Sequence, residues 1–146
     1  MLVKKIAIAC DHAGPELKKM LKQDLGSEVE VVDLGTDGSE SVDYPDYAVK
    51  LANYLKDKQD TYGILICGSG VGISIAANRF THIRAALCQD KEVAILARQH
   101  NDANVLVLGA RLLDEDAVKE IVQAFFNTAF EGGERHERRV EKLANI

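Results

Sequence analysis

At 146 residues, with 47% hydrophobic and 28% charged side chains, the chain suits one domain, residues 1–146, with enough apolar material for a real core and no compositional sign of disorder. A net charge of −5, with no basic stripe outside a short C-terminal cluster, argues against a nucleic-acid partner. No apolar run is long enough to span a bilayer, and the N-terminal one meets Asp11 too soon for a secretory leader, so no membrane partner and a cytoplasmic address are expected.

Lys5 to Cys10 reads as a buried strand, which Asp11-His12-Ala13-Gly14-Pro15 turns into a helix. Proline is well tolerated in a first helical turn, Leu17, Met20, Leu21 and Leu25 then recur at helical spacing, and Gly26 stops the helix. Val29, Val31, Val32 and Leu34 give a second strand. A polar loop from Gly35 to Asp43 ends at Tyr44-Pro45, beyond which Tyr47, Ala48, Leu51, Ala52 and Leu55 mark a second helix. Gly63 to Cys67 is a third strand, and Gly68-Ser69-Gly70-Val71-Gly72 leads it into a helix from Ile73 to Asn78. A short fourth strand, Arg84 to Cys88, precedes a helix carrying Val93, Ala94, Leu96 and Ala97. Val105 to Leu108 is a fifth, closed by Gly109. Asp114 is placed to cap the helix bearing Val118, Ile121, Val122 and Phe125, and residues 131–146 form a charged, arginine-bearing tail.

Five apolar strands alternating with helices predict an α/β fold: a single-domain, flavodoxin- or Rossmann-like three-layer sandwich with a five-stranded parallel sheet, strand order 2-1-3-4-5. In that arrangement the first and third strands lie side by side and ligands bind outside their carboxyl ends. Asp11 and His12 should therefore face the loop that follows Cys67.

That loop is the focus of the chemistry. Glycines in a strand-to-helix turn let a ligand approach the main chain, and free N–H groups at a helix N-terminus favour anions. Cys67, at the end of the strand, is either a small core residue or a thiol activated by that positive terminus. Ser69 is either a turn residue or a donor to an oxyanion. His100, with Asn101, falls after the fourth helix and before the fifth strand, at the opposite end of the sheet from Cys67. It either caps a helix or acts as a general acid and base, and the second role requires a partner subunit or a folded-over helix end. Arg111 suits a phosphate or an ion pair with Asp114 or Glu115. Arg135, Arg138 and Arg139 alternate with Glu134, Glu137 and Glu141, which reads as a solvated helical face laced by charge pairs, or as a grip on phosphate. Asp11 doubles as a possible helix cap, and His82 is taken as a surface residue. Cys10, Cys67 and Cys88 form no Cys-x-x-Cys pair and are expected to be reduced.

Cys10-Asp11-His12-Ala13-Gly14, Asp43-Tyr44-Pro45, Ile66 to Ile73, Arg98-Gln99-His100-Asn101-Asp102, Glu131-Gly132-Gly133, Arg135-His136 and Arg139-Val140 occur in one order along nearly the whole chain. Together they resemble the ribose-5-phosphate isomerase B family, in the group of sugar-phosphate isomerases that includes galactose-6-phosphate isomerase subunits. The resemblance implies a metal- and cofactor-independent aldose-ketose isomerase that interconverts ribose 5-phosphate and ribulose 5-phosphate, as a homodimer or a pair of dimers with shared sites. It implies Cys67 as the base that moves a proton across an enediolate, and His100 from the partner subunit, assisted by Asp11, as the group that opens the sugar ring. Asp11, His12, Gly68, Ser69, Gly70, Val71, Gly72, Asn101, Arg111, Arg135 and Arg139 would bind substrate; Glu134 shifts the tail spacing, so Arg138 competes with Arg139. One branch of the family has a glutamate base where this chain has Ile73, which assigns this chain to the cysteine branch.

Two other readings stand beside it. One is an isomerase of hexose 6-phosphates, allose or galactose. The other is a non-catalytic nucleotide- or flavin-binding module, with Asp90 on a ribose hydroxyl; the Gly68, Gly70 and Gly72 spacing fits a dinucleotide fingerprint poorly and leaves Cys67 and His100 without work.

Overall fold

A computed structural model describes all residues, 1–146. Along each central strand, period-two alternation sends side chains to opposite faces of the sheet, and both faces are apolar. Ile6, Ile8, Cys10, Ile64, Ile66, Leu106 and Leu108 meet one set of helices, while Ala7, Ala9, Leu65, Cys67, Val105 and Val107 meet another. The result is the expected three-layer sandwich.

The strands are β1 (Lys5–Cys10), β2 (Glu30–Asp33), β3 (Thr61–Cys67), β4 (Ala85–Leu87) and β5 (Val105–Gly109), all parallel. The helices are α1 (Pro15–Leu25), α2 (Tyr44–Leu55), α3 (Val71–Ala77), α4 (Lys91–Asn101), α5 (Glu115–Phe126) and α6 (Glu134–Ala144). α1, α4 and α5 pack on the first face, through Leu21, Leu25, Ala94, Ala97, Val118, Phe125 and Phe126. α2 and α3 cover the second through Ala48, Leu51, Ala52, Leu55, Ile73 and Ala77. Asp114 caps α5 as expected, accepting from Ala117 N–H at 2.8 Å.

One expectation is corrected. The order is 2-1-3-5-4, so the last two strands of the anticipated 2-1-3-4-5 exchange places. Burial explains the exchange: every residue of β5 is buried, which requires neighbours on both edges, whereas the three residues of β4 are only half-buried. A short, partly exposed strand belongs at a sheet edge. The switch point between β1 and β3 is unaffected.

Hydropathy gives no hint of Lys18, whose side chain is 1% exposed within α1. Its Nζ donates to Asp33 Oδ1 and Asp37 Oδ1, each at 2.7 Å, and Lys22 Nζ donates to Asp33 Oδ2 at 2.6 Å. The network ties α1 to the end of β2 and to the loop beyond it, which His12 Nδ1 also holds by accepting from Val42 N–H at 3.2 Å. Burial alone would push the Asp33 carboxyl up, but hydrogen bonds from Lys18, Lys22 and Gly35 N–H outweigh it and hold the group at about 2, against 3.8. A carboxyl depressed on folding contributes stability that is complete above its unfolded range and is lost as pH falls through the folded value. That contribution is about 2 kcal/mol. Urea denaturation should therefore show stability falling between about pH 4 and pH 2, with a shallower fall in Asp33→Asn. An equal slope in both proteins would remove Asp33 as the cause.

Candidate active site

The register of β1 against β3 pairs Cys10 with Ile66, so the residues that follow, Asp11 and Cys67, emerge side by side; Asp11 N–H donates to Ile66 O at 3.1 Å. The predicted juxtaposition of Asp11 with Cys67 at the switch point is therefore present, whereas the one hydrogen bond of the His12 ring is from Val42 N–H. Asp11 is 6% exposed, and its Oδ1 accepts from Ala13 N–H at 2.9 Å. It closes a local turn and does not cap α1, whose N-cap is Gly14.

Cys67 is 4% exposed, and its Sγ accepts from Gly70 N–H at 3.2 Å. This sulfur faces the glycine loop. Such a bond strengthens when the acceptor carries negative charge. Burial pushes the Cys10 thiol up to about 11 and the Cys88 thiol up to about 12. All three cysteines are free.

Gly70 has φ +79°, and a Cβ there would stand 2.5 Å from Leu87 Cδ1 and 3.2 Å from Gly109 N. Only glycine allows this turn, which starts α3 at Val71, two residues earlier than its apolar pattern suggests. Ser69 Oγ accepts from Val71 N–H at 3.2 Å, so the hydroxyl anchors the first turn. The N–H groups of Gly68, Ser69, Gly72 and Ile73 have no intramolecular acceptor. Four donors in one short turn, beside a sulfur, make a surface that favours an anionic oxygen.

Two further side chains border the loop. The Arg111 guanidinium lies over Gly68, its Nη1 3.0 Å from where a Cβ would stand, and it forms no ion pair with Asp114 or Glu115. Tyr44 leans on Gly72, its hydroxyl 2.9 Å from the corresponding position, and is 40% exposed. Sequence reasoning assigned no role to Tyr44; the signal available was its place in the Asp43-Tyr44-Pro45 motif.

The remaining site residues lie elsewhere. His100 and Asn101 are the last residues of α4 and do not follow it, as the sequence suggested. The parallel register runs β5 from Val105 to Gly109 beside Cys67, four steps or about 13 Å of strand, so α4 ends near the amino ends of the strands, opposite Cys67. There His100 Nε2 lies 3.6 Å from Glu131 Oε2, and its ring stacks on His136 with centroids 4.5 Å apart and planes 6° apart. His136 is the second group that sequence reasoning passed over. Arg135, Arg138 and Arg139 form no ion pair with the glutamates of α6, so the laced-face reading does not hold.

The candidate residues of the single chain thus fall into two groups at opposite ends of the strands: Asp11, His12, residues 67–72 and Arg111 in one, His100, Asn101 and the α6 arginines in the other. None of the four cavities of 340 to 500 Å³ is lined by Cys67, Asp11 or His12, while Asn101 lines one of about 480 Å³ together with Leu143 and Ile146. Two minor expectations also change. Asp90 caps α4, accepting from Val93 N–H at 2.9 Å, and is occupied in a way the nucleotide reading did not anticipate. His82 is half-buried and bonded to Ala52 O at 2.7 Å.

A doubly wound α/β protein with a glycine loop of unpaired amides and a cysteine at its switch point is the class that fold and site define. Comparison narrows it: the family model described as Ribose/Galactose Isomerase matches residues 6–143, and the chain belongs to that family. Ribose-5-phosphate isomerase B of Escherichia coli (strain K12) is 48% identical over 145 residues, 99% of this chain and 97% of that protein. A ribose 5-phosphate isomerase from Thermotoga maritima superposes with a TM-score of 0.93 at 51% identity, covering 98% of this chain and 99% of the other. Ribose-5-phosphate isomerase B from Mycoplasma genitalium, solved with bound ribulose-5-phosphate, gives a TM-score of 0.93 at 41% identity over 99% of this chain and 97% of the other. No helix is long and apolar enough to cross a membrane.

Proposed function

We propose that this chain is an aldose-ketose isomerase interconverting D-ribose 5-phosphate and D-ribulose 5-phosphate, in a site completed by a second copy of itself. The observation that carries the reading is the Cys67 sulfur, 3.2 Å from Gly70 N, in a loop whose neighbouring amides are unspent. The family and its relatives support the sugar-phosphate class.

A hydrogen beside a carbonyl is weakly acidic, so its removal needs a base and a means of holding the oxyanion that forms. In the aldose, the Cys67 thiolate takes the C2 proton, and the electron pair of that bond becomes the C1–C2 double bond of an enediolate. The negative charge on O1 is held by the loop amides and Ser69. The proton then returns from sulfur to C1, and O2 becomes the ketone as its proton passes to O1. Both base and donors are protein groups, and no metal or cofactor is assigned a step.

Two features favour a shared site. The base lies at the carboxyl ends of the strands and the histidine at their amino ends, too far apart for one chain. The arginines at the histidine's end are unpaired cations, suited to the phosphate of a substrate seated on the partner's glycine loop. His100, assisted by the partner's Asp11-bearing loop, opens the furanose, and Arg111, Arg135 and Arg139 hold the phosphate, whose binding positions the reacting carbons.

Turnover across a panel of pentose and hexose phosphates tests the assignment. Ribose 5-phosphate should give the highest kcat/KM. A preference for allose or galactose 6-phosphate would move the chain to the hexose reading, and no turnover of any sugar phosphate would overturn isomerase activity.

A further inference from the structure

The cluster at the end of α4 can do more than position an acid. Glu131 Oε2 lies 3.6 Å from His100 Nε2 and 3.7 Å from His136 Nε2, and the three ligand atoms all fall within 4.8 Å of one another. We propose that His100, Glu131 and His136 form a transition-metal site of the kind that takes Zn²⁺, and that its occupation withdraws His100 from the reaction.

Two observations support the site. The first is donor chemistry: two imidazole nitrogens and one carboxylate suit zinc, cobalt or nickel over magnesium or calcium, and leave a fourth position for water.

The second is pre-organisation. Arg98, 6% exposed, donates to Thr128 O at 3.2 Å and to Asp102 Oδ1 at 2.9 Å, and Glu131 N–H donates to Gln99 O at 3.1 Å. The segment carrying Glu131 is thereby pinned to the last turn of α4. Gly132 and Gly133, with φ of +69° and +84°, then swing the chain into α6 so that His136, in its first turn, folds back over His100. His136 is 12% exposed on a helix that otherwise buries almost nothing.

In a tetrahedral zinc shell the donor atoms stand roughly 3.3 Å apart. Contraction from 3.6 and 3.7 Å, and from ligand-atom separations of up to 4.8 Å, requires the stacked rings to tilt so that their nitrogens converge, and the 42% exposed His100 side chain has room to turn. Arg135 and Arg139 nearby oppose a cation, so binding should be weaker than at a structural zinc site. The same arginines mean that a bound sugar phosphate and a metal ion would compete for this end of the strands.

The test is titration of the metal-free intact protein with Zn²⁺ by calorimetry, and with Co²⁺ followed by visible absorption. One ion per chain is expected, with the intense cobalt bands of a low-coordinate site. His136→Ala and Glu131→Gln, checked for fold by circular dichroism, should each weaken binding at least about tenfold. Zn²⁺ should also suppress wild-type turnover reversibly on chelation, and Glu131→Gln should need at least about tenfold more Zn²⁺ for the same fractional suppression. Absence of stoichiometric binding overturns the site, and so does binding that survives both substitutions, as capture by Cys67 would. The inhibition arm rests on the role proposed for His100. One ion held by these residues with no loss of turnover would uphold the site and overturn that role.

Discussion

Cys67→Ala and Cys67→Ser should each lower kcat on ribose 5-phosphate by at least about 10³-fold, the scale on which a positioned general base operates. The sulfur occupies a 4% exposed position, and its one polar contact is the Gly70 amide. Loss of a single small side chain there should cost only about 1 kcal/mol of stability. Serine keeps a group able to accept from Gly70 N–H but has a far higher proton affinity, so it separates the base from the architecture. The measurement is ketose formation alongside thermal unfolding and the inhibition constant of a non-isomerisable sugar phosphate. Activity should vanish while unfolding temperature and inhibitor affinity stay near wild type. Substantial turnover by either variant, with the fold intact, would dispose of sulfur as the base.

His100→Asn provides the second large effect, and a different one. If His100 opens the furanose, the variant should lose about 10²-fold or more on the cyclic substrate and far less on an open-chain aldose phosphate of similar size. Equal losses on both would assign His100 to binding. Because His100 lies near the amino ends of the strands and Cys67 at their carboxyl ends, each inactive variant retains one intact group of candidate residues. A heterodimer of Cys67→Ala and His100→Asn chains would then contain one complete site and one doubly defective site, and should recover up to about half the wild-type activity per dimer. Verified heterodimers without activity would rule out the shared arrangement.

Some of this was written plainly in the order of residues. Apolar runs at Lys5 to Cys10, Gly63 to Cys67 and Val105 to Leu108, separated by amphipathic helices, specify a parallel sheet because only strands covered on both faces are apolar throughout. The glycine loop after Cys67, the Asp114 cap and the nearness of Asp11 to Cys67 follow from local pattern and topology. The place of β4 did not. Its apolar run looks like any other, and its edge position is fixed by how much of it the folded chain covers. Lys18 was likewise hidden, because its burial depends on Asp33 and Asp37 arriving from a different element.

The same division applies to the site. Residue types and spacing along the chain identified the chemical groups: a thiol, a serine, a histidine and several arginines. Which of them meet is a property of the tertiary structure. Asp11 and Cys67 join because β1 and β3 pair, whereas His100 joins His136 and Glu131 because two glycines with positive φ reverse the chain after α5. Periodicity reports which face of an element is buried but carries nothing about contacts between distant segments. Those are decided by strand register and by the turns that fold one segment onto another.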